Sequence, residues 1–340
     1  MTPKMDTTEP ILFVLSIDTE EEWEWGEAFP QQDANVSNID NIPAFQKVCE
    51  GLGLRPTYFV DYAVADNPQA VEHILPLVPE GNCEIGAHLH PWCNPPFFGP
   101  VGEFESHVVN LPKEQVSQKL ENLVKKLEQS FSIKPKSFRT GRWGIDKKVM
   151  SLLIEQGFNV DSSVYPFYEN EYFHCNGSPS LPYWPDLDYP LKVSSQQMIY
   201  ELPVTVGFNR SNFELANKIH TAFTKPPLSW TRFNGIAWHT NVLRKNYLCP
   251  ELSAPNDMIS LCKSVIDKGY PILHMYMHSS SLVDNKNSLL GNKDAFTFIT
   301  NAIKAVIKEL SRHYNIEFCT ISEAAKKMQE RTSPNGSSTK

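Results

Sequence analysis

The chain has 340 residues, 41% of them apolar, 31 Lys and Arg against 39 Asp and Glu, and a formal net charge of −8. That length and apolar content fit one large α/β domain with a substantial core, while the acidic balance and the lack of a basic stripe exclude nucleic acid as the expected partner. Seven scattered cysteines without a C-x-x-C pair read as reduced thiols. The first residues lack a signal peptide's order, and no apolar run reaches the roughly 20 residues of a membrane span. The expectation is therefore a cytoplasmic protein.

Residues 11–17 form an apolar run ended by acids, as in a parallel strand buried on both faces. Ser37 opens a helix with an apolar face of Ile39, Ile42, Phe45, Val48, Cys49 and Leu52, and Gly53 stops it. Residues 56–62 read as a second strand, 70–78 as a short helix, and 83–90 as a third strand. A Pro-, Phe- and Gly-rich loop follows to residue 110. Pro112 opens the clearest helix, with Val116, Leu120, Leu123, Val124 and Leu127 at helical spacing. A short strand is expected at 137–140, a helix at 147–156 ended by Gly157, and a strand at 159–165.

The alternation of strand and helix predicts a parallel sheet. It breaks near 169–195, an elaborated segment rich in Pro, Tyr, Trp and Asp. Strand 198–206 and helix 211–223 resume it, and 225–255 reads as irregular. Helix 256–268, strand 271–277, helix 294–312, strand 316–321 and helix 323–328 complete the chain. About eight strands suffice to close a barrel. The expected organisation is a flexible 1–10, a single barrel domain over 11–330 with irregular insertions near 169–195 and 225–255, and a disordered tail over 331–340.

Reactive side chains fall where strands end. Asp18 and Glu20 follow the first strand, His88 and His90 the third, Arg139 the fourth and His278 the late strand, and Asp161 lies in the fifth. Parallel α/β barrels build active sites at that end. Positions two apart on a strand share a face, so His88 and His90 can address one divalent metal, with Glu20 the acidic ligand. Alone, each residue has an ordinary reading: Arg139 as an ion-pair partner, His88 as a core histidine, the Glu20–Glu21–Glu22 run as a solvated face. His274, in mid-strand, suits packing, and His239 a loop.

Five segments in order resemble the motifs of polysaccharide deacetylases, the chitooligosaccharide deacetylase-like enzymes of carbohydrate esterase family 4. They are Ser16-Ile17-Asp18-Thr19-Glu20, Glu84-Ile85-Gly86-Ala87-His88, the stretch from Phe138-Arg139 to Trp143-Gly144, Asp161-Ser162-Ser163 and Met277-His278-Ser279. The resemblance is to a divergent branch found in surface-polysaccharide gene clusters. It implies a deformed (β/α) barrel of seven or eight parallel strands and hydrolysis of an N-acetyl group on a sugar of a polysaccharide or its precursor. It makes Asp18 the base, Arg139 the residue that holds it, His278 the acid, Asp161 the support of His278, and His88 the first metal histidine.

Two positions depart from the pattern. Thr19 stands where a metal-binding aspartate is usual, with Glu20 one residue on. Trp92 stands where the second metal histidine is usual, with His90 the candidate substitute. Zinc suits the ligand set, and Trp92, Arg142 and Trp143, with Phe97 and Phe98 nearby, suit contact with a sugar. An amidohydrolase on a small amide, a non-catalytic carbohydrate-binding relative and an assembly subunit are the other readings.

Overall fold

The computed structural model describes residues 9–23, 27–32, 34–79, 81–284 and 294–332. Most of the two expected flexible ends, 1–8 and 333–340, lies outside the described residues. The strands are β1 (Ile11–Thr19), β2 (Thr57–Val60), β3 (Glu84–Leu89), β4 (Ser137–Thr140), β5 (Val160–Asp161), β6 (Tyr200–Glu201), β7 (Val206–Phe208), β8 (Lys245–Tyr247), β9 (Ile272–His278) and β10 (Ile316–Cys319). The α-helices are α1 (Ile42–Gly51), α2 (Tyr62–Asp66), α3 (Pro68–Ile74), α4 (Lys113–Phe131), α5 (Lys147–Gln156), α6 (Phe213–Ala222), α7 (Phe233–His239), α8 (Pro255–Asp267), α9 (Ala295–His313) and α10 (Ile321–Thr332).

Every residue of β1 is buried, as a strand paired on both edges between helical layers requires. One edge pairs with β9 along Leu12–Asp18, and the other is shared by β10 at its start and β2 at its end. From β2 the sheet continues through β3, β4 and β5 to β6, and every pairing is parallel. Because the strands run one way, their carboxyl ends gather at one mouth. The register does the rest: Asp18 lies opposite His278, and His88 opposite Arg139.

The curled sheet closes without a full ladder. Residues 202–205 and Leu248 span the gap between β6 and β9, through Thr205 N–H to His274 O (3.0 Å), Leu248 N–H to Thr205 O (3.0 Å) and Tyr276 N–H to Leu248 O (3.1 Å). This is a deformed (β/α) barrel. Helices pack its outside through apolar faces. On α4, Val116, Leu120, Leu123, Val124, Leu127 and Phe131 are buried, each contributing about 1.5–3 kcal/mol. Gly157 adopts φ +83° and ends α5, a conformation that favours glycine.

Three expectations are revised. Only Val160–Asp161 of the expected strand 159–165 pairs as a strand. The stretch 198–206 divides into β6 and β7, because 202–205 turns away to bridge to β9. The irregular 225–255 contains α7 and β8, the latter antiparallel to β7. All seven cysteines are buried and unpaired. Among the described residues no helix is long and apolar enough to cross a membrane.

Candidate metal and hydrolase site

A cavity of about 230 Å³ opens at the barrel mouth, bordered by Asp18, Glu20, His88, His90 and His278. Its outer wall includes Trp23, Arg142, Trp143, Tyr165, Tyr168 and Asn170. Asp18 leaves β1 almost fully buried and accepts from Arg139 Nη1 at 2.5 Å. Arg139 is wholly buried, and three more of its donors are used: Nε reaches Ser162 O (3.0 Å), and Nη2 reaches Ser16 Oγ (2.9 Å) and Ser162 Oγ (3.1 Å). Its guanidinium lies between the rings of Phe59 and Trp143, at 4.5 and 4.9 Å. Phe59 can lie so close because β3 carries Gly86 beside it, where a Cβ would fall 2.5 Å from the ring.

Glu20 Oε2 faces His88 Nε2 at 3.2 Å and His90 Nε2 at 3.3 Å. His88 Nδ1–H donates to Arg139 O (3.1 Å), and His90 Nδ1–H donates to Glu21 (3.0 Å). In the neutral state, imidazoles bonded in this way would turn their Nε2 lone pairs toward the carboxylate. The three converging acceptors are then satisfied by a cation among them, either a proton on His90, which the paired carboxylates favour, or a metal ion. A four-coordinate zinc with bonds of about 2.0–2.1 Å has ligand edges of about 3.3 Å, and the 3.2 and 3.3 Å separations match. The residues present therefore fit a divalent metal.

Glu21 supports His90 from behind. Its carboxylate also accepts from Trp92 Nε1, and it lies in a buried cluster with Asp61 and Cys93. Asp61 Oδ1 caps α2 by accepting from Val64 N–H (2.8 Å). Burial alone would raise the Glu20 and Glu21 carboxyls. The His90 charge opposes it in both, joined at Glu20 by the His278 charge, and holds Glu20 well below the carboxylate range and Glu21 at about 2. Burial would lower His90, but the charges of Glu21 and then Glu20 raise it well above the usual imidazole range. Asp61 is raised by burial and by its hydrogen bond to Glu21.

His278 Nε2 stands 3.9 Å from Asp18 Oδ2. Its Nδ1–H donates to Glu251 Oε2 (2.8 Å), its backbone N–H to Glu251 Oε1 (2.6 Å), and Ser281 Oγ–H to that same oxygen (2.6 Å). Burial would lower this imidazole, but Glu251 first, then Glu20 and Asp18, push it up to about 10. The support that the resemblance assigns to Asp161 thus comes from Glu251. Asp161 instead accepts from Ser163 Oγ (2.6 Å) and lies against Glu201. Burial raises both carboxyls, and the charge of Asp161 raises Glu201 further. One oxygen of each has no hydrogen-bond partner, and a proton shared between them would satisfy both.

The expected sugar contacts separate. Trp143 and Arg142 border the cavity, with Trp143 stacked on Tyr165 (4.8 Å) and Arg142 paired with Glu103. Trp92 also borders the cavity, but it is 1% exposed and stacks on His90 at 4.1 Å, so it braces the site as well. Phe97 and Phe98 lie outside the cavity wall and cover Lys119. His274 is buried, bonded to Ser16 Oγ (2.8 Å) and Pro203 O (3.1 Å), and burial and Arg139 hold it well below the usual range.

Sequence reasoning passed over Glu21, Asp61, Glu251 and Cys93. Asp61 had the signal that marked Asp18, an acid at a strand exit. Glu251 had only its place after the apolar Tyr247–Leu248–Cys249.

The fold is that of the polysaccharide deacetylases, a class of deformed barrels. A structure described as a polysaccharide deacetylase from Mycobacterium smegmatis matches at TM-score 0.58 and 14% identity, over 96% of this chain and 94% of that one. One described as a glycoside hydrolase/deacetylase from Parabacteroides distasonis matches at TM-score 0.62 and 11% identity, over 99% and 75%. PuuE allantoinase is also similar, at TM-score 0.52 and 16% identity, over 95% and 91%. No protein-family profile and no curated protein sequence matches the chain.

Proposed function

We propose that the chain is a metal-dependent deacetylase, hydrolysing the N-acetyl group of a sugar in a polysaccharide or its biosynthetic precursor. One observation carries this reading: Asp18, clamped by Arg139, and His278, clamped by Glu251, stand 3.9 Å apart beside the Glu20–His88–His90 cluster. Glu20, His88 and His90 would hold the cation, and zinc suits one carboxylate and two imidazoles. When bound it supplies Lewis-acid polarisation of the acetamide carbonyl and a water of lowered pKa.

The chain's own groups divide the proton work. Asp18 takes the proton of the attacking water, with Arg139 fixing its orientation. His278, held as imidazolium by Glu251, gives a proton to the departing amine. Arg142, Trp143 and Tyr165 at the cavity wall offer a cation and flat rings to a glycan. The seven unpaired thiols favour a reducing compartment, hence the cytoplasm and an intermediate made there.

The test is acetate release from N-acetylated oligosaccharides and nucleotide sugars by metal-loaded protein. Activity should be lost on chelation and in Asp18→Asn and His278→Ala with the fold retained. Full activity in either variant overturns the assignment of roles. Turnover of small linear or cyclic amides without acetate release transfers the chain to the amidohydrolase reading.

A further inference from the structure

The insertion between β7 and β8 differs in charge from the rest of the molecule. Residues 209–244 carry five Lys and Arg against the single acid Glu214, in a chain of net charge −8. Arg244 pairs with Asp257 and Lys225 with Glu169, which leaves Arg210, Lys218 and Arg232 without an acidic partner among the described residues. The same segment exposes large apolar side chains. Trp230 is 84% exposed, Ile236 59%, Leu215 54%, Val242 50%, Trp238 46% and Leu228 41%. On α6, Leu215, Ile219 and Ala222 recur at helical spacing on an outward stripe that includes Lys218, while Phe213 and Ala216 face inward. Arg232 is exposed beside Trp230.

Exposed Trp, Ile and Leu interleaved with Lys and Arg fit the interface of an anionic bilayer. The apolar groups enter the acyl boundary while the cations remain at the headgroups. An aqueous surface gives an 84%-exposed Trp nothing to bury against, and a net-acidic molecule needs a local cationic face to approach an anionic membrane. We infer that the 209–244 insertion docks this protein peripherally on an anionic lipid surface. The insertion is fastened to the loop that borders the cavity: Lys225 pairs with Glu169 (3.1 Å), and Asn217 Nδ2–H donates to Asn176 Oδ1 (3.5 Å). Tyr168 and Asn170 of that loop line the cavity, so docking sets the mouth close to lipid-borne molecules. The inference stands on exposure and charge and is independent of the hydrolase reading.

The experiment is co-sedimentation of the full chain with phosphatidylcholine vesicles, with and without phosphatidylglycerol, at low and high salt. Binding should require phosphatidylglycerol and fall as salt screens it. Trp230→Ala should weaken binding with its fold intact, since the side chain is exposed. Lys218→Gln with Arg232→Asn should weaken it about fivefold per cation removed, the Asn suiting the positive φ of residue 232. Tryptophan emission should shift to the blue on binding, and the shift should be smaller in Trp230→Ala. Equal recovery with both vesicle types, or none with either, overturns the proposal. So does a wild-type dimer in sedimentation that Trp230→Ala dissociates, which would give the face to a second copy.

Discussion

Glu251→Gln isolates one carboxylate charge at the acid side of the site. The amide keeps an oxygen for His278 N–H and for Ser281 Oγ–H, which Glu251 Oε1 accepts at 2.6 Å each. Its NH2 then faces His278 Nδ1, where a carboxylate oxygen stood at 2.8 Å. An imidazolium cannot donate to a donor, so the neutral ring with its proton on Nε2 becomes the favoured form. Two unit charges about 2.8 Å apart at an effective dielectric of about 20 interact by about 6 kcal/mol, or about four pH units. That exceeds the rise of His278 from 6.5 to about 10. Glu20 and Asp18 still favour the cation, so the fall should be about two to three pH units. The measurement is the ring-nitrogen NMR titration of His278 in chelator-treated wild type and variant. In the wild type the ring stays protonated through neutral pH, and in the variant it titrates near neutrality. The alkaline limb of the deacetylation rate should move down with it. A His278 titration unchanged by the substitution would refute Glu251 as the group that holds this imidazolium.

Gly141→Ala should impair metal binding without touching a ligand. Its Cβ would fall 2.2 Å from His90 Cδ2 and 2.7 Å from Leu89 O, so the ring must move. A metal-competition titration should show affinity down about 10–100-fold, the usual effect of disturbing a ligand's support. Trp92→Phe keeps a ring over His90 but removes the N–H that Glu21 accepts. It should cost about 1–3 kcal/mol in urea unfolding, and an unchanged midpoint would deny the brace. Glu201→Gln tests the buried acid pair. The folded chain retains a proton that the unfolded Glu releases above its ordinary 4.5, so wild-type stability falls as pH rises from there toward the raised folded value. Gln holds the neutral form permanently and still accepts from Val164 N–H. The variant should therefore lose less stability with rising pH, the slope removed being at most about 1.4 kcal/mol per pH unit. Parallel stability–pH curves would show that the pair does not share a proton.

The barrel's centre was legible because two-sided burial writes itself as unbroken apolar runs. β1 and β9 read that way, and each delivered its exit residue, Asp18 and His278, which the register then sets side by side. His88 and Arg139 became neighbours by the same rule on β3 and β4. Where burial comes from loops the pattern fails. Glu251 sits 27 residues before His278 in a stretch without periodicity, and only closure of the barrel through Thr205 and Leu248 brings it in. Glu21 was obscured by strand alternation, which puts Glu20 on the side of Asp18 and its neighbour on the other. The strand ends at Thr19, and both carboxylates turn inward on opposite nitrogens of His90. Asp61 was hidden by reading its strand through to residue 62, although the strand stops at Val60 and Asp61 begins the next helix as its cap.

The two departures from the deacetylase pattern are physically one change. A ligand pair four residues apart suits a helical turn, but here the chain stays extended past His88. Extended spacing sets His88 beside His90, and the turn at 91–93, closed by Asn94 N–H to His90 O (3.2 Å), brings Trp92 onto His90, with ring centroids 4.6 and 4.1 Å apart. The second imidazole is therefore available two residues on, and the side chain four residues on is left above it. Trp92 there donates to Glu21, and Glu21 accepts from His90 Nδ1, which fixes the ring with Nε2 toward Glu20. Glu20 in turn stands one residue later than the usual aspartate and is one methylene longer, so its carboxylate can reach both imidazoles from beyond the strand end. Trp92→His alone would remove the indole N–H that Glu21 accepts while His90 Nε2 still faced Glu20. The tryptophan, the paired glutamates and the shifted histidine thus form a mutually supporting set, and changing one member degrades the others.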